Sequence, residues 1–252
     1  MSLDELLPAV AAWFSRAAIR PFTDFWQELD PSQRPALFVA LAGAASLGLL
    51  IGRLWGKLSA RRREDRIQNE GEALVARLLG SEFGPPDYHL MNHVTLAMDD
   101  GTTQIDHILL SRFGVFVIET KHYSGWLFGG ADDRKWTQVW FTSRFRFQNP
   151  LLQNKRHVRA VSSVLDFLPP DAVRSVVVFS GSAEFKKGVP AGVLRVSELA
   201  GHVRMQTEYL MSPEKLQYCV GRLETARLAL SAQTDVEHVE SLRRRHGRAP
   251  HN

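Results

Sequence analysis

Two segments rich in β-branched and aromatic residues constrain the fold most, because only a short break separates them. They are Gln104–Leu110 and Val115–Lys121, joined by Ser-Arg-Phe-Gly. This pattern predicts two antiparallel strands with Gly114 at the turn between them. A turn of either two or four residues sets Asp106 opposite Glu119 on the neighbouring strand.

Asp106 and Glu119 would then be like charges at directly opposed positions. Cβ atoms at such positions lie roughly 4.5–5.5 Å apart, and like charges there destabilise a sheet. Lys121 projects from the same face as Glu119, because side chains alternate along a strand. Two carboxylates beside a lysine predict a divalent-metal site. Two alternatives stay open: both acids are simply exposed, or a bulged turn of three or five residues shifts the register.

Composition excludes several other classes of site. The single cysteine, Cys219, rules out an internal disulfide framework and a cysteine-rich zinc site. The formal net charge is +4, but the basic residues cluster near residue 60 and in the C-terminal tail. Overall charge is therefore weak evidence for a DNA-binding groove.

An uncharged run precedes the basic cluster. Pro35–Gly52 contains no charged residue, and its length as a helix is about 27 Å, close to the hydrocarbon core of a bilayer. We expect a transmembrane helix at 35–55, with a buried core helix as the alternative. Basic residues are more frequent after this run than before it, which predicts a single-pass cell-membrane protein with a cytoplasmic C-terminal part. Gly48 and Gly52 have the spacing of a homodimer seam.

The rest of the chain divides by composition and periodicity. The predicted segments are an extracytoplasmic 1–34, the membrane helix 35–55, a basic linker 56–65, a main domain 66–200, C-terminal helices 201–245 and a disordered tail 246–252. Strands are predicted at 88–94, 103–121, 126–128, 136–140, 175–179 and 193–196, with helices from about 67, 149 and 197 and within 212–245.

Several short motifs occur in an order similar to that of a known family. They are G-E (71–72), T-T-Q-I-D-H (102–107), G-V-F-V-I-E-T-K (114–121), Y-S-G (123–125), Trp136 and N-P-L-L-Q-N-K-R-H (149–157). Over residues 66–180 the chain resembles the nuclease-related domain (NERD) family, which is placed with the PD-(D/E)xK nucleases. The resemblance implies an α/β, restriction-endonuclease-like fold with a mixed central sheet flanked by helices. Ile105 stands where the superfamily's name has proline.

The resemblance also implies roles for individual residues. Asp106 and Glu119 match the ligands of Mg²⁺, for which Mn²⁺ is a possible substitute, and Lys121 matches the catalytic lysine. Glu72 matches an additional acidic position on the first helix. Gln153 matches a glutamine that related nucleases place near the site.

The expected function is metal-dependent hydrolysis of phosphodiester bonds in DNA by a membrane-anchored nuclease. The alternative is a membrane scaffold that binds nucleic acid or protein through the same fold without cutting. The residues expected to contact the nucleic-acid backbone are Arg144, Arg146, Lys155, Arg156 and His157.

Other residues near these motifs have two readings. Phe145 and Phe147 alternate with the arginines, a pattern that suits either base stacking or ordinary strand amphipathicity. The histidines His89, His93, His107 and His122 are expected to be structural or solvent-facing.

Overall fold

A computed structural model describes residues 30–32 and 34–228, and contacts divide the chain into the units Met1–Arg62 and Arg63–Asn252. Helix α1 runs from Arg34 to Glu82. Within the described part of the chain, no helix has both the length and the apolar character that a membrane span requires. Some side chains of the predicted span at 35–55 lie outside the described residues. The predictions for 1–29 and 229–252 lie wholly outside them.

Within its described residues, the second unit contains two sheets, the C-terminal part of α1 and four further helical segments. The strands are β1 (Tyr88–Met98), β2 (Gly101–Ser111), β3 (Gly114–Lys121), β4 (Gly125–Phe128), β5 (Lys135–Trp140), β6 (Ser143–Gln148), β7 (Val173–Phe179), β8 (Ala183–Phe185) and β9 (Val193–Arg195). The helices after α1 are α2 (Pro150–Val164), a 3₁₀ turn (Pro170–Ala172), α3 (Val196–Arg204) and α4 (Pro213–Ala226).

The first sheet has the strand order β1-β2-β3-β7-β9. Its first three strands are antiparallel, whereas β3, β7 and β9 run parallel. The predicted α/β class with a mixed sheet and helices is therefore confirmed. A separate second sheet, ordered β6-β5-β4-β8, was not predicted.

The β2–β3 hairpin has the predicted register. Leu110 pairs with Val115 and Ser111 with Gly114, so the turn holds two residues. Gly114 has a φ of +137°, a conformation that disfavours any residue with a Cβ atom. The ladder continues to His107 and Ile118, and its next opposed positions are 106 and 119.

Both faces of the first sheet are covered by helices. Val115 and Val117 of β3 belong to the cluster that packs on α2 and α4, whereas Phe116 and Ile118 pack on α1 and α3. All four are fully buried, which explains why β3 is a continuous apolar run. Burying a side chain of this kind contributes about 1.5–3 kcal/mol. The core thus holds rigidly the strand end that carries Glu119.

Two asparagines fix the start of α2. Asn149 caps the helix by accepting the N–H of Leu151 at 2.9 Å, and its amide donates to three carbonyls of the β4–β5 loop at 2.7–3.3 Å. Pro150 occupies the first helical position, as expected from its fixed φ. Asn154 donates to backbone carbonyls of β3 and β7 at 2.9 and 3.0 Å. These bonds orient the helix face that carries His157.

Candidate active site

A chain of polar contacts begins at the C-terminal end of β3. Glu119 is 1% exposed. Its Oε1 lies 2.5 Å from Lys121 Nζ, and its Oε2 lies 3.0 Å from His157 Nε2. His157 Nδ1 in turn lies 2.8 Å from the Thr103 hydroxyl. Residues of β2, β3 and α2 are thereby joined around one carboxylate.

Asp106 lies at the same end of the β2–β3 ladder as Glu119, next to the last pair of His107 with Ile118. Its Oδ2 accepts the backbone N–H of Thr120 at 2.7 Å. Burial of the carboxyl group raises the pKa of Asp106 well above its usual value, and the negative charges of Glu119 and Glu72 raise it further. Lys121 opposes this effect only in part. The site therefore disfavours the charged form of Asp106.

Helix α1 delivers Glu72 to the same place. Gln68 holds the helix against the end of β3, because its amide accepts the His122 N–H at 3.0 Å and donates to the His122 carbonyl at 3.3 Å. A Cβ atom at Gly71 would lie only 2.7 Å from the Ser180 hydroxyl, so glycine is needed for this close approach. Burial raises the pKa of Glu72, while His93 lowers it.

A cavity of about 430 Å³ adjoins the acidic groups. Its lining residues are Asn69, Glu72, Ala73, His93, Gln104 and Asp106. His93 Nδ1 lies 3.5 Å from Glu72 Oε2. His93 also has a φ of +52°, which costs energy for any residue other than glycine.

The β1–β2 register places His93 beside Asp106. The flanking pairs are Asn92 with His107 and Val94 with Ile105. The side chain of His93 is 50% exposed, as expected for a solvent-facing histidine, but its place beside Glu72 and Asp106 was not predicted. The signal was available, because counting back from the turn at Asp99-Asp-Gly101 sets residue 93 opposite residue 106.

The model of the nuclease-related domain family, NERD, matches residues 67–180. An uncharacterized protein of Bacillus anthracis is 31% identical over 177 residues, which cover 68% of this chain and 82% of that protein. The chain belongs to the nuclease-related domain family. No solved structure matches it. The NERD match confirms the family resemblance, and it includes Glu72, Asp106, Glu119, Lys121 and Gln153.

Gln153 and the predicted nucleic-acid-binding residues of this NERD protein differ from one another in exposure and contacts. Gln153 is half-buried on α2, one turn before His157. Lys155 is exposed on the same helix, and Arg156 makes two bonds of 2.6 and 2.5 Å to Asp100 in the β1–β2 turn. Arg144 and Arg146 are exposed on β6 of the second sheet.

His157 was expected at the nucleic-acid rim, but it is only 3% exposed. Both of its ring nitrogens have partners inside the protein, Glu119 and Thr103. The helix periodicity placed this ring one turn after Gln153 correctly, but did not reveal that α2 covers Glu119. His157 therefore supports Glu119 from inside the protein and is not a surface residue.

Two further histidines of the NERD domain are held by neutral partners. Burial, followed by the charge of His93, lowers the pKa of His107 to about 4. The ring is thus neutral near pH 7, with Nδ1 2.8 Å from the amide oxygen of Asn92. His122 Nδ1 lies 3.1 Å from the Ser180 hydroxyl.

The donor set suits a hard divalent cation. Within the described residues, no group of three or more His, Cys, Asp or Glu side chains forms a ready metal cage. Magnesium does not require one, since it usually takes only one or two protein carboxylates and keeps several waters. The raised pKa of Asp106 is the effect that such a cation would relieve. Asp106 and Glu119 are the carboxylates that would hold such a cation.

Proposed function

We propose that this protein is a metal-dependent nuclease that hydrolyses phosphodiester bonds of DNA. One observation carries the proposal: Asp106 and Glu119 lie next to the last pair of the β2–β3 ladder, at one end of the hairpin, and Lys121 is bonded to Glu119. Membership of the nuclease-related domain family supports it. Asp106 and Glu119 are the residues that would hold Mg²⁺ or Mn²⁺, which when bound polarises a phosphate and lowers the pKa of a bound water.

Lys121 supplies positive charge in this proposal and does not act as a base. The neighbouring carboxylates of Glu119 and Asp106 raise the pKa of Lys121 above its usual value, so the ammonium stays protonated near pH 7. A fixed cation beside the cavity stabilises negative charge that develops on a phosphate.

Glu72 and Gln153 have supporting roles. Glu72 lines the cavity with His93, and its raised pKa makes it better suited to accept a proton from water than an exposed carboxylate. We propose that Gln153 positions water or phosphate, because it lies on α2 one turn before His157, the residue that supports Glu119.

We further propose that residues 35–55 anchor the protein in the cell membrane, with the nuclease domain in the cytoplasm. The support is the uncharged run Pro35–Gly52 and the basic residues that follow it. Gly48 and Gly52 would form a homodimer seam within this helix. Cell fractionation combined with protease protection tests the anchor and its orientation. Recovery in the soluble fraction would refute it.

The nuclease is tested with purified full-length protein, plasmid and single-stranded DNA, and a titration of Mg²⁺ or Mn²⁺. We expect cleavage that EDTA abolishes and that Asp106→Asn reduces at least 100-fold, a loss in the range of one removed electrostatic contact. The matched control is Glu208→Gln, which removes the charge of an exposed acid. Equal cleavage by the wild type and Asp106→Asn would refute the site, whereas metal-independent DNA binding without turnover supports the scaffold.

A further inference from the structure

The second sheet has one buried and one exposed face. Leu127 and Trp136 point into a cluster with Phe179 of β7, and Phe147 packs against this cluster. The residues on the opposite side of the strands we call the outer face. They are Trp126 and Phe128 of β4, Lys135, Thr137 and Val139 of β5, Arg144 and Arg146 of β6, Glu184 of β8 and Lys186 after it.

Strand pairing aligns the outer face in rows. Glu184, Trp126, Val139 and Arg144 form one row across all four strands. Phe128, Thr137 and Arg146 form the next row. The phenylalanines that alternate with Arg144 and Arg146 in the sequence therefore lie on the other side of the sheet.

The outer face is strongly positive. It carries four basic residues, Lys135, Arg144, Arg146 and Lys186, and one acidic residue, Glu184. Lys186 Nζ is bonded to Glu184 at 2.6 Å. The net excess of three positive charges complements the phosphate backbone of a nucleic acid.

Trp126 adds an aromatic platform at the centre of this charge. The residue is 51% exposed, and the Lys186 ammonium lies 4.6 Å from its ring centroid. A half-exposed indole can stack an unpaired base, and a base on this face would take the place of the Lys186 ammonium. Bases in a duplex are already stacked on one another, so the ring favours a single strand.

The outer face is also close to the candidate active site along the chain. Trp126 follows Lys121 by five positions in the chain, which limits their Cα separation to about 17 Å. Single-stranded sites of this kind cover about 4–16 nucleotides, so one strand can contact both places.

We propose that the outer face binds single-stranded DNA, with a base stacked on Trp126 and phosphates on Arg144 and Arg146. The proposal rests on the nuclease function and names its substrate more closely: a strand that is unpaired next to the cleaved bond. It also gives a role to the exposed arginines of this edge strand.

Binding of full-length protein to a fluorescent 12-residue oligothymidylate and to a duplex of equal length, both in EDTA, tests this without cleavage. Trp126→Ala should raise the Kd for the oligothymidylate about 5- to 150-fold, the range for loss of one stacked base. Trp126→Phe should restore most of the affinity, and duplex binding should change less than about twofold. The matched control is Tyr218→Ala, an aromatic residue of similar exposure on α4.

The arginines are tested through the salt dependence of the same binding. Arg144→Gln with Arg146→Gln should flatten the slope of log K against log salt by about 1.4, since each phosphate contact on a single strand contributes about 0.7. Arg77→Gln with Arg159→Gln removes the same charge from exposed helix positions and should leave the slope unchanged.

The outcomes separate this proposal from the nuclease itself. Unchanged oligothymidylate binding by Trp126→Ala, an equal loss in the controls, or no binding by the wild type would overturn the outer-face proposal even if the protein cleaves DNA. Binding that depends on Trp126 in a protein without any metal-dependent cleavage would uphold the surface and refute the nuclease.

Discussion

Removing one member of the ion pair between Glu119 and Lys121 should clearly destabilise the metal-free protein. Glu119→Gln leaves the Lys121 ammonium, whose side chain is only 17% exposed, without its carboxylate partner. Breaking a buried ion pair by removing one member costs about 3–5 kcal/mol. The residual exposure of Lys121 places the expected loss near the lower end, at about 3 kcal/mol.

A double-mutant cycle isolates this interaction. Lys121→Met added to Glu119→Gln removes the orphaned charge, so the double variant should be destabilised less than the sum of the single variants, with a coupling of about 2–3 kcal/mol. Urea unfolding in EDTA at pH 7, followed by tryptophan fluorescence, measures each free energy of unfolding. A loss of 3 kcal/mol lowers the midpoint by about 1.5 M urea at a typical slope.

The control for the cycle is a second glutamate–lysine pair with a similar distance. Glu184 Oε1 lies 2.6 Å from Lys186 Nζ, but the side chains are 60% and 31% exposed. Glu184→Gln should therefore cost less than about 1 kcal/mol. The reasoning fails if Glu119→Gln is equally mild, or if the cycle shows no coupling between Glu119 and Lys121.

Three further predictions follow from the same geometry. Asp106→Asn should stabilise the metal-free protein at pH 8 by about 1 kcal/mol, because it removes a buried carboxylate whose charge is disfavoured by burial and by Glu119 and Glu72 and only partly offset by Lys121. Because the folded-state pKa of Asp106 is raised, the wild type loses stability as pH rises, and the advantage of the variant should vanish below about pH 4. Urea unfolding at both pH values measures this, and a variant less stable at pH 8 would contradict it. His157→Gln should weaken Mn²⁺ binding about 10- to 100-fold, as loss of a carboxylate's hydrogen-bond support does; titration calorimetry showing unchanged affinity would remove His157 from the site. Asn149→Ala should cost about 1–2 kcal/mol through loss of the helix cap, and an unchanged thermal midpoint would show that the β4–β5 loop does not depend on it.

The hairpin was predictable because its information is local. The two-residue turn before Gly114 and the alternation along β2 and β3 specify the register, and the register sets Asp106 opposite Glu119. Local pattern also gave the start of α2, where Asn149 and Pro150 have the residue types of a helix N-terminus.

The elements that surround the hairpin were harder to predict from the sequence. His157 lies on a helix whose periodicity is clear, yet its burial depends on how α2 crosses the first sheet. The second sheet was missed because the short strand β8 pairs in parallel with β4, some sixty residues earlier in the chain. Contacts between segments so far apart follow from tertiary packing and leave no local pattern.

Gly71 shows how local and global demands conflict within one helix. In an isolated helix, alanine at this position would be the better residue by roughly 0.5–1 kcal/mol. Here a methyl group would meet the His122 Cβ atom at 2.7 Å and push the following residue, Glu72, away from the cavity. An engineered variant chosen only for helical propensity would therefore gain a more rigid α1 and separate the third acidic group from the other two.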